Sequence, residues 1–145
     1  MGKDELRAIL GHEFTHIKCD HTHWLVLTNL KSAFYVPVVS DILGLVMLVW
    51  SRRAEFTCDH GSLVASRDLR ACVSALGKVA VGKQLFETLN LDAFFDQRKD
   101  IQADEVSKLS EALSTHPYLV NRIHALEEYY ESTEYHKLTE VLTEC

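Results

Sequence analysis

Asp4-Glu5-Leu6-Arg7-Ala8-Ile9-Leu10-Gly11-His12-Glu13-Phe14-Thr15-His16-Ile17-Lys18 is the stretch that decides the fold class. Leu6, Ile9, Leu10 and Ile17 recur at spacings that fit one buried helical face, and Trp24 and Leu27 extend the pattern. Asp4 and Glu5 stand near its start, where the helix dipole favours anions. The periodicity predicts one helix over about 4–33. Within it His12 and His16 are four residues apart and share a face. They can present imidazole nitrogens to a single divalent ion at about 2.0–2.1 Å. Glu13 projects beside them, where it can take a proton from an attacking water and later deliver it to a leaving amine.

Working outward, the same periodicity predicts helices over about 38–66, 69–81, 84–95, 103–113 and 117–130. Asp68 is placed to open the third helix and Gly82 to stop it, while Pro117 suits a first helical position. No segment alternates with a period of two for long enough to be a strand, and no internal repeat is visible. The expected fold class is therefore all-α. A chain of 145 residues, 47% hydrophobic, can build one sizeable core and not two, so residues 1–145 are read as a single domain. Ordinary charge content, 25%, excludes a disordered chain. Fifteen basic residues against 21 acidic ones give a net charge of −6, so no nucleic-acid partner is expected. Cys19, Cys58, Cys72 and Cys145 form no CxxC pair and read as reduced thiols. With no presequence pattern, the expected location is the cytoplasm or the cytoplasmic face of a membrane. Glu127, Glu128, Glu131, Glu134, Glu140 and Glu144 read as a solvated helix face.

Phe34–Trp50 is a 17-residue apolar run interrupted by Pro37, Ser40, Asp41 and Gly44. As a straight helix it would rise about 26 Å, short of a hydrocarbon core of about 30 Å. Asp41 would add about 2.5–3.5 kcal/mol to the cost of insertion. The run is expected to form a bent, buried or interfacial helix.

A catalytic zinc needs a third protein ligand. The metzincin pattern, with a third His six residues after the second, fails because Thr22 occupies that position and Cys19 the intervening Gly. His21 and His23 read as surface or supporting residues. The other solution is a carboxylate from a later helix. Glu55 and Asp59, again four apart, lie in Arg53-Ala54-Glu55-Phe56-Thr57-Cys58-Asp59, between apolar Trp50 and Leu63-Val64. Glu55 can ligate, and Asp59 can accept the Nδ1–H of a ligating His and fix its tautomer.

Three blocks in order now resemble the HtpX-type and CAAX-prenyl-protease-type gluzincin metallopeptidases. They are Leu10-Gly11-His12-Glu13-Phe14-Thr15-His16-Ile17-Lys18, Ser51-Arg52-Arg53-Ala54-Glu55-Phe56-Thr57-Cys58-Asp59, and Ser114-Thr115-His116-Pro117 followed by Arg122-Ile123 and Leu126. The resemblance implies a zinc endopeptidase with one zinc per chain, held by His12, His16 and Glu55, and Glu13 as general base. It also implies His116 as a stabiliser of the oxyanion. Without the resemblance, His116 reads as a cap residue ahead of Pro117. Arg122 is expected to be structural, pairing with a buried carboxylate. Cys58 and His60 stand where relatives commonly carry Ala and Arg. Relatives also carry upstream segments, including an edge strand for substrate pairing, whereas eleven residues precede His12 here. The expectation is a catalytic fragment of a longer parent, without that β edge, acting on a peptide or protein substrate and membrane-associated through the parent. If Glu55 is the ligand, the segment between positions 16 and 55 is too short for two crossings and a turn, so it does not span. The alternative is a non-catalytic, zinc-stabilised pseudo-peptidase or interaction domain. A metal-free, membrane-associated helical scaffold is a third reading.

Overall fold

A computed structural model of the chain describes residues 1–29, 37–82, 84, 86 and 117–144. These form six helices: α1 Lys3–Lys18, α2 His21–Asn29, α3 Pro37–Ser66, α4 Leu69–Val81, α5 Leu119–Glu131 and α6 Thr133–Glu144. Among the described residues there is no strand, and the fold is all-α as expected. The helices expected at 84–95 and 103–113 lie, apart from positions 84 and 86, outside the described residues.

Local chemistry explains the ends. At the start of α1 the Gly2 N–H donates to Glu5 Oε2 at 2.8 Å, satisfying an otherwise orphaned donor. Asp68 caps α4 by accepting the Ala71 N–H at 3.1 Å. Gly82, with φ of 85°, ends that helix in a conformation that favours glycine.

Two boundaries differ from the periodicity. The single helix expected over 4–33 is broken at Cys19-Asp20, where Asp20 takes a left-handed φ of 54°. An Asp tolerates that conformation, and the turn is closed by the Asp20 N–H donating to the Ile17 carbonyl at 3.1 Å. No Gly or Pro marks the break, which is why apolar spacing reads straight through it. At the other end, α5 starts at Leu119 rather than Pro117, and α6 follows it as a separate helix. One face of that acidic segment is not solvated: Tyr135 is buried against Tyr129 and Leu126. Arg67 also ties α6 down, donating to Thr143 Oγ1 at 3.1 Å and to the Leu142 carbonyl at 3.2 Å.

The core gathers Ala8, Leu63, Cys72, Ala75, Leu126 and Tyr135, from α1, α3, α4, α5 and α6. The main interface is α1 on α3, with α4 packed on α1 and α5 on α3 and α4. Small residues allow α1 and α3 to approach closely. A Cβ added at buried Gly11 would lie 2.5 Å from Ala65 Cβ and 3.1 Å from the Gly61 carbonyl oxygen. This crossing brings the His12–His16 turn against the Glu55–Asp59 turn.

Candidate metal centre

His12 and His16 lie one turn apart on α1, with Nε2 atoms 3.2 Å from each other. Glu55 comes from α3. Its Oε2 is 3.6 Å from His12 Nε2 and its Oε1 is 3.7 Å from His16 Nε2. Two imidazole nitrogens and a carboxylate thus converge from two helices.

The groups behind them fix the rings. Asp59, one turn beyond Glu55 and only 1% exposed, places Oδ1 3.1 Å from His12 Nδ1. With Nδ1–H donated to that carboxylate, His12 keeps a lone pair on Nε2. Arg122 from α5 donates its Nε to Asp59 Oδ2 at 2.8 Å and its Nη2 to Asp59 Oδ1 at 2.7 Å. The same Nη2 is 3.1 Å from Glu55 Oε2. One guanidinium therefore holds both carboxylates in place. Burial opposes its charge, but the Asp59 hydrogen bonds and the Asp59 and Glu55 charges outweigh that and raise its pKa. For His16, burial and then the neighbouring His12 depress the pKa, so the neutral, ligating form is favoured.

The break after α1 adds a residue that helical periodicity misplaces. Of the two readings of His21, surface or supporting residue, the structure fits the second: it is buried, at 7% exposure. Its Nδ1 is 3.2 Å from His16 Nδ1 and 3.5 Å from the Cys58 sulfur, and its ring meets Trp50 edge-on. Burial, then the proximity of His16, lowers its pKa. His23 by contrast is exposed and pairs with Asp20 at 3.2 Å.

Glu13 is exposed at the edge of a cavity of about 510 Å³ that opens beside His12, His16 and Glu55. Ile9, Leu76, Val79 and Ala80 give that cavity an apolar wall, and Pro117 and Arg122 close another side. His116 lies outside the described residues.

The donor set fits a zinc ion: two imidazoles with Nε2 atoms facing one point, a carboxylate opposite them, and a hydrogen-bonded carboxylate behind His12. Comparison with known proteins points to a metallopeptidase family. The model of peptidase family M48 matches residues 30–130. The chain is 34% identical to the plastoglobule-localized metallopeptidase 48, chloroplastic, of Arabidopsis thaliana, over 92% of this chain and 43% of that protein. It is 29% identical to protease HtpX homolog 2 of Methanosarcina mazei, over 85% of this chain and 53% of that protein. The chain thus spans about half the length of these curated relatives. No solved structure matches it. On the family match, over two thirds of its length, the chain belongs to peptidase family M48, the HtpX-type metallopeptidases.

Proposed function

We propose that the chain carries the catalytic centre of a zinc-dependent endopeptidase of the gluzincin type. One zinc is held by His12, His16 and Glu55, and peptide or protein is the substrate. The observation that carries this reading is the convergence of both Glu55 oxygens on the Nε2 atoms of His12 and His16, at 3.6 and 3.7 Å. Zinc bound there would polarise a scissile carbonyl and lower the pKa of water toward about 7.

The chain's own residues do the rest. Glu13, next to His12 and open to the cavity, takes a proton from the attacking water and returns it to the leaving amine. Asp59 holds the His12 ring through Nδ1, and Arg122 holds Asp59 and Glu55. His116 donates to the oxyanion as negative charge develops. Support for that role is its sequence position, directly before Pro117, which lines the same cavity. The apolar wall of Ile9, Leu76 and Val79 suits a substrate with a hydrophobic side chain beside the scissile bond.

A lipid surface is the proposed setting. Leu43, Leu45, Val46 and Val49 are each at least 44% exposed, along the first half of α3. Trp24 and Trp50 pair at their inner end, ring centroids 6.4 Å apart, with Arg53 exposed one turn further along. Aromatic pairs followed by a basic residue suit a membrane–water boundary. Among the described residues, no helix is long and apolar enough to cross a membrane.

The test uses metal content and cleavage of a quenched fluorescent peptide library. Glu55→Ala should lose the single zinc. Glu13→Gln should keep it and lose cleavage by about a hundredfold or more. Full activity in Glu13→Gln would overturn the mechanism. A wild-type chain with one zinc and no cleavage, even within its full-length parent, would favour a pseudo-peptidase.

A further inference from the structure

Cys58 sits on α3 between Glu55 and Asp59 and is fully buried. It is not an isolated thiol. Donor atoms of His12, His16 and Cys58 all lie within 4.8 Å of one another. Its sulfur is also 3.5 Å from His21 Nδ1. In a tetrahedral site with nitrogens at about 2.0–2.1 Å and sulfur at about 2.3 Å, neighbouring donors stand roughly 3.3–3.6 Å apart. The Nε2 atoms of His12 and His16 already meet that spacing at 3.2 Å. The sulfur lies within 4.8 Å of one nitrogen of each ring, so up to about 1.5 Å remains for a side-chain torsion to close.

We propose that Cys58 is a further ligand, closing the His12–His16–Glu55 site with a thiolate and biasing it toward thiophilic divalent cations. The proposal rests on the metal-binding reading above. As the sulfur–metal bond forms, the S–H bond breaks, its electron pair stays on sulfur, and the proton leaves to the medium. No oxidant or reductant is involved. A cation at the site would stabilise the thiolate that it coordinates. Four protein donors leave no open position. The thiolate must therefore be displaced before a substrate carbonyl can enter, and the resting site is latent. Its chemistry is that of a soft ligand added to a borderline site, so Cd²⁺ and Zn²⁺ gain over Mn²⁺.

The experiment loads the full chain with one equivalent of Co²⁺ and records its absorption. Wild type should show an intense thiolate-to-cobalt charge-transfer band in the near ultraviolet. Cys58→Ser should keep one Co²⁺ by its weak visible bands and lose the charge-transfer band, and Cys19→Ser should keep both. Cd²⁺ affinity should fall about tenfold or more in Cys58→Ser, with Mn²⁺ affinity changed less than twofold. Should the serine variant fail to fold, X-ray absorption of the wild-type zinc form reads the same point, with one sulfur expected at about 2.3 Å. One bound Co²⁺ without the band, or a band that survives Cys58→Ser, overturns the thiolate and leaves the zinc site standing. A chain that binds no metal overturns both.

Discussion

Replacing Arg122 with Met probes the scaffold of the site without touching a proposed ligand. Arg122 presents two donors to Asp59, at 2.7 and 2.8 Å, and a contact to Glu55 at 3.1 Å. Asp59 is 1% exposed, so water cannot replace those donors. Of its carboxylate oxygens, Oδ1 would keep His12 Nδ1 at 3.1 Å and Oδ2 would lose the Arg122 Nε. Breaking a buried ion pair by removing one partner costs about 3–5 kcal/mol, because the remaining charge stays desolvated. At about 4 °C per kcal/mol for a domain of this size, Tm should fall by roughly 12–20 °C. The assay is urea and thermal unfolding of metal-free protein, followed by circular dichroism. Arg122→Lys, which keeps the charge and loses the bidentate fork, should fall between the two. In the double variant Arg122→Met/Asp59→Asn the two losses should not add, with a coupling of about 2 kcal/mol or more. An Arg122→Met chain within about 1 kcal/mol of wild type, or strict additivity in the cycle, would refute the account.

Three further outcomes follow from other parts of the fold. The Lys78 ammonium, then the Ser74 hydroxyl and the Gly2 N–H, hold the Glu5 carboxyl down at about 2, against a usual 4.5. Because the folded pKa is depressed, this stabilisation is complete above pH about 4.5 and is lost as pH falls toward about 2. Screening at this rim site limits it to about 1 kcal/mol, so Glu5→Gln should flatten the acid limb of a stability–pH profile by that amount. Gly11→Ala places a Cβ 2.5 Å from Ala65 Cβ at the α1–α3 crossing, and unfolding should show a loss of about 1–3 kcal/mol. Chelation should lower Tm, since an ion held by His12, His16 and Glu55 would add a further link between α1 and α3, and an excess of zinc at 100 times Kd should restore about 2.7 kcal/mol.

Much of the architecture is legible from local signals. Periodicity marks α3 and α4 closely because their ends carry strong cues: Pro37 at the first position of α3, Asp68 and Gly82 flanking α4. It fails at Cys19-Asp20, where the apolar spacing continues although the backbone turns. That single φ sends His21 back toward His16 and Cys58, a contact no i, i+4 argument can produce. The Glu55–Asp59 spacing is readable as two carboxylates on one face, and Arg122 is readable as the partner of a buried carboxylate, but which carboxylate its fork holds, 63 positions away, is not. Such a contact depends on how α5 packs on α3, and one sequence holds no record of that. Burial of Tyr135 is similarly hidden, because its helix is acidic by composition and apolar on one face only.

The carboxylate that looks most costly is the one the site depends on. Asp59 is buried in an environment where an unpaired charge would be strongly unfavourable. Its oxygens are met by one imidazole nitrogen on α1 and two guanidinium nitrogens on α5. Among the described residues no buried side-chain nitrogen or oxygen is left without a partner. The polar network is therefore satisfied by protein groups, and helix packing helps to set its geometry. Close approach of α1 to α3 at Gly11 fixes the distance from His12 to Asp59, and the fork from α5 fixes the carboxylate plane. It follows that a cation bound as proposed should need little rearrangement of His12, whereas the Cys58 sulfur, 3.5 Å from His21 Nδ1, would have to leave that contact to join it.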